Sequence, residues 1–220
     1  MDIKEAIVNR HSVRQYKDEP IAPEQIAALE ALIWECNEES GLRIQLIQDD
    51  PDCFKSFLAS YGKFKNVRNY IALVGPKSME DLDEKCGYYG QKIVLEAQMM
   101  GLNTCWVGGT YAKGKCSAER TAEERLVCVI SIGYGQTQGT ERKTKPMSKL
   151  CDLPESEMPE WFKEGVKAAM LAPTAINQQS FRISLEDGEP VITAGRGVMI
   201  KIDLGIVKYN FEAASGHKCR

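Results

Sequence analysis

The feature that most constrains this chain is an echo of its first third in its last. A helix-like stretch over residues 159–171, then Phe181-Arg182-Ile183-Ser184-Leu185, then Val191-Ile192-Thr193-Ala194-Gly195 follow the same order as residues 23–36, Leu42-Arg43-Ile44-Gln45-Leu46 and residues 71–75. A helix closes each series: Gly90 and Gly101 bracket ten residues containing Glu96-Ala97, and Gly205 and Gly216 bracket ten containing Glu212-Ala213. The echo implies an internal duplication with a pseudo-twofold relation; chance similarity of two short amphipathic helix-plus-strand units is the alternative. The copies are not equal. The second lacks the strand, double glycine and basic loop of residues 104–146, and the first lacks the insertion Ala172-Pro173-Thr174-Ala175-Ile176-Asn177-Gln178.

Around the echo, apolar spacing predicts the remaining elements. Ile3, Ala6 and Ile7 mark a first helix, and Ile26, Leu29, Leu32 and Ile33 a second that opens at Pro23-Glu24, a pair suited to a helix's first turn. Residues 42–48 alternate as a strand, Phe54, Phe57, Leu58 and Tyr61 mark a short helix ending near Gly62, and residues 70–74 form a buried strand closed by Gly75-Pro76. A helix over residues 81–100 ends at Gly101, a left-handed cap, and residues 104–107 form a strand running into Gly108-Gly109. Residues 117–125 read as a charged surface helix, residues 126–132 as a strand and residues 139–146 as a polar, basic loop. The fold class expected is α+β, a central mostly antiparallel sheet of about five strands flanked by helices. At 220 residues it is a single domain, with a first half of about residues 1–150 and a second of about residues 158–220.

Charge excludes some partners. With 28 basic against 31 acidic residues and a net charge of −3, the chain has no bulk attraction for nucleic acid or for an anionic membrane. It opens with the acidic Met1-Asp2-Ile3-Lys4-Glu5 where a secretory signal is basic and then apolar, and no apolar stretch approaches a membrane span, so a cytoplasmic protein is expected. Eight cysteines in such a chain are expected to be reduced thiols. No two of them are separated by two residues, and with only His11 and His217 besides, no metal site is expected.

Four segments carry candidate chemistry. In Arg10-His11-Ser12-Val13-Arg14-Gln15-Tyr16, two guanidiniums and a hydroxyl stand two residues apart. An extended backbone points them to one side, suited to a phosphate and an adjacent polar ring edge; a solvated basic stretch is the plainer reading. Gly101-Leu102-Asn103-Thr104-Cys105-Trp106-Val107-Gly108-Gly109 is an apolar strand ending in two glycines, either open to a flat ligand at their backbone N–H groups or a plain strand-ending turn. In residues 172–182, Pro173 stops a helix, Pro173, Thr174 and Ala175 suit one face of a planar ring, and the Asn177 and Gln178 amides offer donors and acceptors; a polar connection is the alternative. The run Arg142-Lys143-Thr144-Lys145 is a solvated surface or a phosphate clamp.

Together these segments resemble the nitroreductase family of FMN-dependent oxidoreductases. The first is similar to the family's N-terminal Arg-x-Ser-x-Arg signature, the second to its Gly-Leu-Gly-Thr-Cys-Trp-type strand, and Ala172-Pro173-Thr174-Ala175-Ile176-Asn177-Gln178 to its Ala-Pro-Ser-Ala-x-Asn-x-Gln loop, so the resemblance covers essentially the whole chain. One departure matters. In typical members that loop follows soon after the Arg-x-Ser-x-Arg stretch and serves a flavin held mainly by the partner chain, because two chains build each site. Here it lies in the last third, on the second copy of the echo. The arrangement resembles a branch in which one chain imitates the family's dimer, which implies a monomer holding one FMN at the junction of its halves, with further association left open.

The resemblance implies FMN as cofactor, NADH or NADPH as reductant, a small-molecule acceptor such as a nitroaromatic or quinone, and ping-pong hydride transfer through flavin N5 without a catalytic side chain. It assigns Arg10 and Ser12, in the stretch that includes His11, to the phosphate, with Arg142, Lys143 or Lys145 completing the charge balance. Arg14 faces the N1/C2-oxygen edge, where negative charge gathers on reduction. Gly108 or Gly109 presents an N–H to N5 beside Trp106; Tyr61, Gly62 and Lys63 approach the pyrimidine; Pro173, Thr174, Ala175, Asn177 and Gln178 form the cover loop. The competing functions are an FMN-binding protein without nicotinamide turnover, serving flavin storage, sensing, fragmentation or dehalogenation, and a cofactor-free interaction protein.

Overall fold

A computed structural model describes residues 1–55 and 62–220. In chain order its elements are helices α1 (Ile3–Asn9) and α2 (Pro23–Ser40), strands β1 (Gln45–Ile47) and β2 (Asn69–Pro76), helix α3 (Leu82–Met99), strands β3 (Asn103–Val107) and β4 (Glu124–Gly133), helix α4 (Glu160–Met170), strands β5 (Phe181–Glu186) and β6 (Glu189–Ala194), and helix α5 (Ile200–Ser215). They gather into two compact units, neither of them one continuous stretch: a sheet unit of residues 10–82 and 96–141, and a helical unit of residues 1–9, 83–95 and 142–220.

The sheet unit is built on the order β1-β2-β4-β3, with every strand pairing antiparallel. Tyr70, Ile71, Ala72, Leu73 and Val74 of β2 are fully buried, as the unbroken apolar run predicts for a central strand covered on both faces. Tyr16, Tyr70, Val74, Val107 and Val129 form its core. The mostly antiparallel sheet is thus as expected, but it has four strands among the described residues. In place of a fifth, Ser12 makes a single parallel bridge to Thr104 of β3.

Local hydrogen bonding explains where the elements depart from the pattern. Asn37 of α2 accepts the Ile44 N–H at 2.7 Å and donates to the Ile44 carbonyl at 2.9 Å, so β1 begins only at Gln45 rather than at residue 42. Residues 117–125 are not a helix. The Ser117 N–H and hydroxyl donate to Asp50 at 3.2 and 2.7 Å, and Gln45 exchanges two 2.8 Å bonds with the Glu119 backbone, so this segment's polar groups are satisfied by β1 and the residues just after it. Of the short helix expected around Phe54, a 3₁₀ turn over Pro51–Phe54 is present; Phe57, Leu58 and Tyr61 lie outside the described residues.

In the helical unit, α3 and α5 meet at backbone distance. A Cβ on Gly205 would stand 1.9 Å from the Glu84 carbonyl oxygen, and one on Gly87 2.0 Å from that of Ile202. Gly205 is therefore a contact residue inside α5, which starts at Ile200, and not the helix boundary its spacing suggests. Phe162 of α4 and Phe211 of α5 meet edge to face at 5.7 Å. Strands β5 and β6 pair with each other through a turn at Asp187-Gly188, where both φ values are positive, the geometry an Asp-Gly hairpin favours.

The order helix, strand, strand, helix thus occurs twice, with an antiparallel strand pair in each. The register differs. Carried across by the sequence echo, the Gln45–Ala72 pair would place Ser184 opposite Ile192, whereas Ser184 faces Val191 and Ile192 faces Ile183. A slip of one residue exchanges the two faces of a strand, so the likeness is one of order and pairing sense.

Candidate functional site

In the sheet unit, residues after α1 run extended beside β3. The Val13 N–H donates to the Thr104 carbonyl at 3.0 Å, and the Arg14 carbonyl accepts from the Lys65 N–H at 3.0 Å. Val13 turns inward to the core, which leaves Arg10, Ser12 and Arg14 on the other side. All three act on the Cys105 thiol of β3. Burial pushes that thiol up, while the Arg14 and Arg10 charges and a hydrogen bond from Ser12 pull it down. Arg10 is 4% exposed, Ser12 half-buried and Arg14 open to solvent, so the three form a line from interior to surface. Tyr16 holds the end of the segment: its hydroxyl donates to the Val13 carbonyl at 2.7 Å and bonds Ser131 Oγ at 2.8 Å.

Around this line, His11 is packed against the turn at Gly139, where a Cβ would lie 2.6 Å from the His11 Cβ. Trp106 and Gly108 are half-buried and Gly109 is exposed, with open space where a Cβ on Gly109 would stand. Gly62 is half-buried against Phe64 and Thr110, and Lys63 is exposed with a positive φ of 60°. Tyr61 falls outside the described residues.

The helical unit brings together two segments that lie about thirty residues apart in the chain. Lys143 offers its carbonyl to Asn177 Nδ2 at 2.9 Å and to Gln179 Nε2 at 3.1 Å. Lys145 donates its N–H to Gln179 Oε1 at 2.8 Å and its ammonium to the carbonyls of Gln178 and Gln179 at 2.7 and 3.1 Å. The basic run is thus a clasp on the 172–179 segment. Gln179 N–H also donates to Thr174 Oγ1 at 3.0 Å, and Pro173 is buried.

Arg142 differs from the two lysines. One terminal nitrogen donates to the Met170 carbonyl at 2.9 Å, yet the buried Nε has no hydrogen-bond partner and no carboxylate pairs with the guanidinium among the described residues. Burial alone pushes its pKa down. A half-buried cation held only by a carbonyl is suited to an anionic group.

Two residues in this network escaped the sequence pattern. Gln179 is buried and bonds both Lys145 and Thr174, and Asp203, in the first turn of α5, accepts the Ala175 N–H at 2.9 Å and Gln178 Nε2 at 2.7 Å. The one available signal for Asp203 is a lone acid in the apolar run Ile202-Asp203-Leu204-Gly205-Ile206. A Cβ on Gly197 would stand 2.0 Å from Gln178 Oε1, so that glycine makes room for the Gln178 amide. A shallow surface groove on α2 and β1, lined by Ile33, Trp34, Leu46 and Ile47, contains none of the candidate residues.

Among the described residues no helix is long and apolar enough to cross a membrane. The model of the family described as "Putative TM nitroreductase" matches residues 2–215. Among solved structures, the chain is similar to a "putative nitroreductase" from Thermotoga maritima, at 24% identity and a TM-score of 0.71, over 97% of this chain and 83% of that one. It is also similar to a "putative nitroreductase" from Desulfovibrio desulfuricans solved in complex with FMN, at 24% identity and a TM-score of 0.54, over 71% of this chain and 98% of that one. A third, a "putative NADH dehydrogenase/NAD(P)H nitroreductase" from Parabacteroides distasonis, is 22% identical with a TM-score of 0.53, over 67% of this chain and 95% of that one. These are likenesses of fold. Among curated proteins none matches the chain.

Proposed function

The chain belongs to the nitroreductase family whose model spans it, an oxidoreductase class, and from that premise we propose that it is an FMN-dependent NAD(P)H oxidoreductase reducing nitroaromatic or quinone-type acceptors. The observation that carries the reading is the line of Arg10, Ser12 and Arg14 beside Cys105, which orders cation, hydroxyl and cation from interior to surface. FMN has a matching layout, an anionic tail joined to a ring whose far edge gains negative charge on reduction, and Arg142, whose buried Nε lacks a partner among the described residues, is itself suited to an anionic group.

Bound FMN supplies two-electron transfer from the nicotinamide to the acceptor, by a ping-pong sequence through N5. The chain's own groups bind and orient. Arg10 and Ser12, next to His11, hold the phosphate, and because the Lys145 ammonium is engaged by the Gln178 and Gln179 carbonyls, Arg142 or Lys143 completes the charge balance. Arg14 steadies the N1/C2-oxygen edge, an N–H of Gly108 or Gly109 beside Trp106 meets N5, and Gly62 and Lys63 approach the pyrimidine. Pro173, Thr174, Ala175, Asn177 and Gln178 cover the ring and exclude water from it. No side chain moves a proton in this scheme. One chain then supplies both contributions that two chains supply in typical members, with one FMN per chain.

The test is direct: purified protein is examined for flavin absorbance, reconstituted with FMN if colourless, and mixed anaerobically with NADH or NADPH. Bleaching of the flavin band within seconds, reversed by a nitroaromatic or quinone, is expected. Bound flavin that no nicotinamide bleaches would leave an FMN-binding protein without turnover, and failure to bind FMN would remove the reading.

A further inference from the structure

The 172–179 segment is held in a shape its own sequence resists. Ile176, Asn177 and Gln179 have φ values of 47°, 55° and 44°, and for Ile176, branched at Cβ, that left-handed region is a steric outlier. The residue gains no burial in exchange, being 86% exposed. Such backbone persists only where its surroundings over-determine it.

The restraint comes from a buried carboxylate. Asp203, 4% exposed, accepts the Ala175 N–H at 2.9 Å and Gln178 Nε2 at 2.7 Å, one residue before Ile176 and two after it. Gln178 Nε2 also donates to the Val198 carbonyl at 2.8 Å, so both its hydrogens are used and the amide has one orientation. No cation pairs with Asp203 among the described residues. Burying a carboxylate without one is costly, and a serine or asparagine could accept the same Ala175 N–H without a charge.

We propose that Asp203 is a positioning residue for flavin binding: its carboxylate clamps Ala175 and Gln178 so that residues 173–178 already hold, before FMN arrives, the shape in which they cover the ring. The inference rests on the FMN reading given above. Ordering the segment when the protein folds removes that cost from the binding step, which accounts for a strained loop and a buried charge at one place.

The experiment measures FMN dissociation constants by flavin fluorescence quenching for wild type, Asp203→Asn, Ile176→Gly and the double variant. Amide hydrogen exchange over residues 172–180 is followed in the flavin-free proteins. D203N is expected to raise the dissociation constant about tenfold or more and to speed exchange in this segment, since charge-assisted hydrogen bonds are lost. Adding I176G, which tolerates positive φ, is expected to recover most of the loss; a merely structural carboxylate would show no such rescue. Wild-type affinity and exchange in D203N, or a loss that glycine leaves unchanged, would overturn the inference while the FMN reading stands. A wild-type protein that binds no FMN overturns both. Should D203N not fold, Asp203→Ser, which retains an acceptor on a smaller side chain, takes its place in the same comparison.

Discussion

Replacing Asp203 by asparagine should make the protein more stable at neutral pH, although it gives up the bond from Gln178. Burial pushes the Asp203 carboxyl from 3.8 up to about 6, against the smaller opposing pull of the Gln178 amide and the Ala175 N–H. A rise of that size corresponds to about 3 kcal/mol. Because the folded value lies above the unfolded one, the stability of the protonated form is fully present below about pH 4 and is lost as pH rises through about 6. Asparagine resembles the protonated acid at every pH, so at pH 7.5 it avoids this loss. Its own amide nitrogen faces the Gln178 donor, however, and giving up that bond costs about 1 kcal/mol. The net expectation is a gain of about 2 kcal/mol at pH 7.5, equivalent to about 4–8 °C in melting temperature for a chain of this size, and a loss of about 1 kcal/mol at pH 3.5, where only the lost bond remains. Urea unfolding of wild type and D203N across pH 3.5–8 measures it, with the difference between the two curves isolating Asp203 from every other titrating group. Parallel curves, or a variant that is less stable at pH 7.5, would refute the reasoning.

Three other outcomes are expected. Arg10→Ala and Arg14→Ala should each weaken FMN binding about ten- to a hundredfold, the worth of a charge-assisted contact, and R14A should also lower the two-electron potential; fluorescence titration in which both variants keep wild-type affinity would reject the assignment. Titration of flavin-free protein should saturate at one FMN per chain, and a plateau near two would reject the single-chain arrangement. Gly205→Ala places a Cβ 1.9 Å from the Glu84 carbonyl oxygen, a backbone atom that no rotamer change can move, so a loss of about 3 kcal/mol and about 6–12 °C is expected; an unchanged melting curve would contradict the α3–α5 contact.

Features set by neighbouring residues were legible in the sequence. Pro23 opens α2, Gly101 follows α3 with a φ of 82°, and the apolar runs of β2 and β4 lie where their composition puts them. The period-two spacing of Arg10, Ser12 and Arg14 was sufficient to place them on one side, because an extended chain leaves no alternative. Features set by distant partners were not legible. Residues 117–125 have a helix-like composition, but the partners that satisfy their backbone, Asp50 and Gln45, are about seventy residues away. Gly205 carries a boundary signal and a packing signal that only the approach of α3 distinguishes. Asp203 reads as an isolated acid because its partners Ala175 and Gln178 lie on another segment.

The distribution of unfavourable local choices bears on whether the chain still uses its site. In the sheet unit Tyr16 is bonded to Val13 and Ser131, and Ser12 is paired with Thr104. In the helical unit, a β-branched residue sits at positive φ, a carboxylate is buried without a cation, and a half-buried guanidinium has a nitrogen with no partner among the described residues. Each could be relieved by one substitution: glycine at 176, asparagine at 203, leucine at 142. Chains under selection for folding alone drift toward such replacements, since consistency across levels is what stabilises a fold. Arg142 and Ile176 lie on the two segments that clasp each other and Asp203 bonds one of them, a concentration that speaks for a segment whose geometry serves a ligand.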